Sequence, residues 1–166
     1  MKSTWLTTLF LFTFSFSAPN VVANDQEEIK VDDKIYIIRH NINTMVKGSE
    51  NNFTGYVTIS PLITAKDPLD KSAGYVTFQA GARTNWHTHP NGQMLIGVAG
   101  KGRVQKWGDD IIEINPGEVV WVPAGVKHWH GASPDYYFTH FALADIVDGK
   151  SSDWLEKVTE SQYQSK

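Results

Sequence analysis

The sequence predicts an all-β domain, a sandwich or barrel of short strands followed by one short C-terminal helix. Three observations carry this reading. Short segments rich in Val, Ile, Thr and aromatics recur from Phe53 to Leu143. Turn-forming sequences separate them: Pro90-Asn91-Gly92, Trp107-Gly108-Asp109, Asn115-Pro116-Gly117, Pro123-Ala124-Gly125 and Ser133-Pro134-Asp135. No stretch before Asp148 sustains a helical period. With 166 residues, 41% of them hydrophobic, the chain is long enough to bury one real core.

Each element follows from its local sequence. Lys34-Ile35-Tyr36-Ile37-Ile38-Arg39 is a β-prone run, and the chain is then polar and Asn-rich through Asn52. Strands are predicted near residues 54–60, 73–80, 84–89, 93–99, 102–107, 110–114, 119–123, 127–132 and 137–143. The turn at Pro90-Asn91-Gly92 is expected to return the chain antiparallel beside the strand before it. After Asp148-Gly149, residues 152–158 are predicted as the helix, capped by Ser151 or Ser152, with Asp153 and Glu156 as its solubilising charges.

The chain's beginning reads differently. Lys2 is the only charge before Asp25, and an apolar run rich in Leu, Phe, Ser and Thr spans residues 5–16. Val21-Val22-Ala23 offers small side chains at a cleavage site. A positive start, an apolar middle and a small-residue end predict a signal peptide over residues 1–23. The apolar part is shorter than the roughly 20 residues that span a bilayer. Export to the periplasm or medium is therefore expected, with residues 24–52 as an N-terminal extension and residues 53–166 as the folded domain.

Fifteen Lys and Arg against 18 Asp and Glu give a formal net charge of −3, which argues against nucleic acid or an anionic membrane surface as partner. The absence of cysteine excludes disulfides, thiol nucleophiles, zinc ribbons and a lipidated cysteine. The informative residues are the histidines. His87 and His89 are two apart, as are His128 and His130, so on an extended strand each pair aims both rings to one side. His140 falls in a predicted strand with Phe138 and Ala142 on its face, both of them candidate pocket wall. Imidazoles gathered on one buried face without a cation are poorly solvated, so a bound divalent ion is expected. Arg83 and Lys127 flank these segments and are expected to be exposed. Trp86, Trp121 and Trp129 are assigned to barrel packing or a subunit contact, and His40 to the surface.

The spacing resembles the cupin superfamily. Gly81, five residues, His87-Thr88-His89, three residues, Gln93, six residues and Gly100 follow its first motif, with Gln where most members have Glu. Gly117, five residues, Pro123-Ala124-Gly125, two residues and His128 follow the second, with Ala132 where Asn is common. The resemblance implies a double-stranded β-helix, or jelly-roll barrel, with His87, His89, Gln93 and His128 as metal ligands. Further segments, among them Trp86-His87-Thr88-His89-Pro90 and Lys127-His128-Trp129-His130-Gly131-Ala132, resemble small bacterial cupins with manganese-dependent hydroxynitrile lyase activity. There two more histidines beside the metal serve activity, at positions matching His130 and His140 here.

This resemblance implies lyase-type cleavage of a small hydroxylated or carbonyl substrate. Three imidazoles and an amide leave a divalent ion its full charge, and Gln in place of Glu removes the obvious carboxylate base. Proton transfer then falls to His130 first and His140 second. Manganese is implied, while the donor types also suit Fe, Zn, Ni or Cu. A cupin dioxygenase and a non-catalytic metal- or ligand-binding protein remain alternatives. A small-molecule substrate and a homo-oligomer are the expected partners.

Overall fold

The computed structural model describes Ile35, residues 37–39 and residues 44–165. The predicted signal peptide and His40 lie outside these residues. In chain order the strands are β1 (Val46–Lys47), β2 (Phe53–Thr54), β3 (Val57–Ile63), β4 (Lys71–Phe78), β5 (Arg83–Thr84), β6 (His87–Thr88) and β7 (Gln93–Gly100). They continue as β8 (Gly102–Lys106), β9 (Ile112–Ile114), β10 (Val119–Val122), β11 (His128–Ala132), β12 (Phe138–Asp145) and β13 (Asp153–Trp154), and helix α1 (Glu160–Tyr163) follows.

Two antiparallel sheets form. One runs β1-β3-β4-β12-β7-β10, and the other β13-β6-β11-β5-β2 with β8 and β9 joined through β11. Neighbours in each sheet come from distant parts of the sequence, which is the jelly-roll architecture. Between them Phe53, Val57, Phe78, Ala82, Val104, Ile114, Ala132 and Phe138 make one buried cluster.

Register decides what each level of the interior holds. Phe138 stands opposite Phe78, His140 opposite Val76, Ala142 opposite Gly74 and Ala144 opposite Ser72. The two phenylalanines close the floor. Above them the small side chains leave room, and a cavity of about 320 Å³ opens there. Gly74 is small for a second reason: a Cβ on it would come within 2.8 Å of the Ser60 carbonyl oxygen.

The structure corrects several expectations. Residues 37–39 carry no strand. The edge of the first sheet is taken instead by β1, from the Asn-rich stretch, which pairs Val46 with Ile59 and Lys47 with Thr58. The turn at Pro90-Asn91-Gly92 does not fold back beside β6. It carries the chain from one sheet to the other, because β6 pairs with β11 and β13 whereas β7 pairs with β10 and β12.

The C-terminal segment is corrected as well. Residues 152–158 are not helical. Asp153 and Trp154 pair with Thr88 and His87, Leu155 N–H donates to the Trp86 carbonyl, and Trp86 N–H donates to that of Glu156. The unpaired edge of β6 offers this ladder, and it outcompetes a seven-residue helix, which is marginal by itself. The helix forms later, where Thr159 and Gln162 make a reciprocal capping box. Asp153 and Glu156 are thus not helix charges; they pair with Lys150 and Lys127.

Arg83, expected at the surface, is 6% exposed. Its guanidinium lies 4.4 Å from the Tyr163 ring centre and donates to the carbonyls of Gly81 and Val158 and to Glu160. Tyr163 donates its hydroxyl to the Ala132 carbonyl at 2.8 Å and packs on Trp129. Lys127 lies 3.4 Å from the Trp107 ring centre and, like Arg83, binds the C-terminal segment to the barrel. Trp86 and Trp129 are core residues, as expected. Trp121 is 61% exposed and packs no barrel core; it stands on the outer face of β10, where its side chain alternates with buried Val122.

Gly100 closes the turn between β7 and β8 at φ +81°, and a Cβ there would lie 1.9 Å from the Tyr137 carbonyl oxygen. Strain and clash act together, so Gly100→Ala is expected to destabilise the domain by about 2–4 kcal/mol. Urea unfolding would detect this as a lower midpoint at unchanged slope; an unchanged midpoint would contradict the packing at this turn.

Candidate metal centre

The second sheet brings the histidines together. Trp154 pairs with His87, and His87 pairs with His128 across β13, β6 and β11, so three ring side chains form one row on the inner face. The next row holds Phe53 opposite Thr84, and the Thr84 hydroxyl accepts the His130 backbone N–H at 3.1 Å. From the first sheet come Gln93, at the start of β7, and His140, in the middle of β12. All six predicted site residues are buried and converge on the cavity region.

Ring nitrogens of His87, His128 and His130 lie within 4.8 Å of one another. His89 stands beside this trio, its ring centre 5.0 Å from that of His87 and 5.6 Å from that of His128. The hydrogen bonds divide the five rings into two classes. In His87, His89 and His128, Nδ1 faces a backbone carbonyl, of Asn85 at 3.0 Å, Ser151 at 2.6 Å and Val126 at 3.0 Å. A carbonyl oxygen can only accept, so each Nδ1 carries the proton and each Nε2 keeps a lone pair. His130 differs: its Nδ1 faces His140 Nε2 at 3.1 Å, and one proton can sit between these two nitrogens.

The resulting donor set fits a divalent cation. His128 Nε2 lies 3.1 Å from Gln93 Oε1, and with the ring proton on Nδ1 these two acceptors can share a cation. His89 Nε2 is buried and has no hydrogen-bond partner among the described residues. Buried lone pairs left in this state are costly, and a shared cation satisfies them together. Nitrogen and amide oxygen donors without sulfur suit a borderline or hard divalent metal.

Burial also sets the charge state. It is the main cause that pushes His87 and His130 well below the ordinary histidine value, with neighbouring imidazoles adding to it. Burial brings His128 and His140 down to about 4 and lowers His89 as well. All five are therefore neutral near pH 7, the form that ligates a metal or accepts a proton.

The sequence did not point to Trp154, Phe53, Thr84 or Ser151 as parts of this site. Thr84 opens a predicted strand and Phe53 immediately precedes one, but nothing local says which face is inward. Ala142 lines the cavity as expected. Phe138 lies beneath it instead, its ring centre 5.5 Å from that of His140. Arg83 and Lys127 are committed to the C-terminal segment and do not line the cavity.

The neutral rings have a consequence for stability. An unfolded chain protonates its histidines near pH 6.5, while the folded, metal-free chain resists protonation down to about pH 4 at His128 and His140. The unfolded state binds more protons in that window, so stability is full above it and falls as pH falls through it. Thermal melts of chelator-treated protein are expected to show a melting temperature that drops steadily from pH 7 to pH 4.5. A flat profile would mean the rings are not held neutral.

Comparison with known proteins agrees with this geometry. Residues 74–135 match the cupin domain family. The chain is 52% identical over 117 residues to an (R)-mandelonitrile lyase of Granulicella tundricola, covering 70% of this chain and 89% of that protein. A cupin-like protein from Thermotoga maritima superposes with a TM-score of 0.68 at 40% identity, over 71% of this chain and 90% of that one. The polyketide cyclase RemF of Streptomyces resistomycificus shares the fold at 16% identity, with a TM-score of 0.60 over 78% of this chain and 92% of its own. A jelly-roll barrel with histidines at its mouth, and relatives this similar over most of their own length, establish that the chain belongs to the cupin family.

Proposed function

We propose that this cupin is a manganese-dependent lyase that cleaves the carbon–carbon bond of a small α-hydroxynitrile. His87, His89, Gln93 and His128 would hold the metal, and His130, backed by His140, would move the proton. The observation that carries this reading is the division among the five rings. Three have Nδ1 held by backbone carbonyls, the arrangement that presents Nε2 to a metal. The fourth, His130, is hydrogen-bonded instead to a second buried histidine, the arrangement of a proton relay. The similarity to a mandelonitrile lyase supports the same reaction class.

When bound, the metal would supply positive charge for an oxygen lone pair or an anionic fragment, undiminished by any carboxylate ligand. The remaining work belongs to the chain. His130 is neutral and can take the substrate hydroxyl proton. The electron pair of that O–H bond then becomes the second bond of the carbonyl, and the bond to the nitrile carbon breaks with its pair on cyanide. His130 returns the proton to cyanide, leaving an aldehyde or ketone and hydrogen cyanide. His140 Nε2 steadies His130 through either charge state, because one proton between the two nitrogens can shift as the charge forms. Phe78 packs against both rings, with centres 5.8 Å from His130 and 5.5 Å from His140, and covers one side of the relay.

Two variants separate the roles. His130→Ala is expected to retain about one metal per chain while losing 10²- to 10⁴-fold in kcat for mandelonitrile cleavage, the range of a general base. His87→Ala is expected to lose the metal itself. Elemental analysis of the purified variants, with benzaldehyde release followed by absorbance, reads both outcomes. Full turnover by His130→Ala would remove that residue from the mechanism.

A further inference from the structure

Part of the cavity wall comes from the segment that follows β12. After β12 the chain turns through Asp148 and Gly149, both at positive φ, and returns across the mouth of the barrel as β13. This strap lies C-terminal to the matched cupin domain, residues 74–135. It contributes Gly149, Ser151, Ser152 and Trp154 to the cavity lining. The Ser151 carbonyl holds His89 Nδ1, and Trp154 pairs directly with His87, so the strap is tied to the site at two points.

We infer that Trp154 is a specificity-determining residue, the aromatic surface on which the non-reacting substituent of the substrate rests. The inference is built on the lyase reading above and adds the group that recognises the part of the substrate remote from the reacting bond. Its indole lies over His87 with ring centres 4.8 Å apart and planes inclined by 32°, and it meets Phe53 at 5.6 Å and 58°. His87 and Phe53 are buried, which fixes the indole from two sides. Yet Trp154 lines the cavity and stays 38% exposed, whereas Phe53, the other Phe, Tyr or Trp in the lining among the described residues, is buried. A large, immobilised and partly uncovered indole at the mouth of a cavity is suited to stack on or meet edgewise a flat aryl group. Ile59 and Val76 supply apolar lining for the same group. On this reading the substituent remote from the reacting bond is an aryl group, and Trp154 is the residue that reads it.

The test compares Trp154→Leu, which keeps apolar bulk without the ring, with Trp154→Phe, which keeps a ring. Metal-loaded wild type and variants are assayed with mandelonitrile and with acetone cyanohydrin, and metal content is measured in each. The zinc-loaded proteins are also titrated with benzyl alcohol and isobutyl alcohol by NMR. Trp154→Leu is expected to raise KM for mandelonitrile and Kd for benzyl alcohol about tenfold, to leave both aliphatic values within twofold, and to keep its metal. Trp154→Phe is expected to recover most of the aromatic preference. Parallel changes for aromatic and aliphatic ligands, no change at all, or loss of metal from Trp154→Leu would each overturn the assignment. If wild type cleaves neither cyanohydrin, the lyase reading fails by itself, and the alcohol titrations still decide whether Trp154 reads an aromatic group.

Discussion

The structure depends on keeping five imidazoles neutral and dry inside a closed barrel. A buried histidine has two nitrogens to satisfy, and leaving one unpaired costs about 1–3 kcal/mol. For His87, His89 and His128 the fold meets half of this demand with its own backbone: the carbonyls of Asn85, Ser151 and Val126 each take one Nδ1 proton. The other half is left open in a single direction. His128 Nε2 lies beside the Gln93 amide and His89 Nε2 has no hydrogen-bond partner among the described residues, an arrangement that a divalent cation would satisfy. The bonds that hold the rings also choose which nitrogen each ring offers to the interior.

The two sheets divide the labour. One brings the row Trp154, His87 and His128 together with His130, Thr84 and Phe53. The other brings Gln93, His140 and the small side chains of Gly74, Ala142 and Ala144, whose missing volume is the cavity. Neither sheet has a site without the other, so closure of the barrel over Phe78 and Phe138 also assembles the chemistry. The His130–His140 contact crosses from one sheet to the other and rests directly on that phenylalanine floor.

The C-terminal segment contributes more than its length suggests. Arg83 under Tyr163, Lys127 beside Trp107 and Glu156, and the Tyr163 hydroxyl on Ala132 tie it to the outside of the barrel. Between these ties and the turn at Asp148-Gly149, the strap cannot drift from the mouth without breaking its ladder with β6. That restraint lets a backbone carbonyl, on Ser151, serve as an orienting group for His89 sixty-two residues away in sequence.

The sequence by itself determined the strand-rich class and the two histidine segments. These are local properties: alternation aims His87 with His89 and His128 with His130, and turn residues mark where each strand stops. It did not determine which sheet each strand joins. Pro90-Asn91-Gly92 reads as a hairpin and instead changes sheets, because the partners of β6 and β7 are chosen by strands far along the chain. Nor did it determine the C-terminal strand: residues 152–158 have an acceptable helical pattern, and only the free edge of β6 converts them to an extended strap. Arg83 was hidden for the same reason, since its burial requires Tyr163 to arrive from 80 residues away. Pairing between distant segments contributes more free energy than short-range propensity in a barrel of short strands, and so tertiary structure settled which nitrogens face each other and what encloses them.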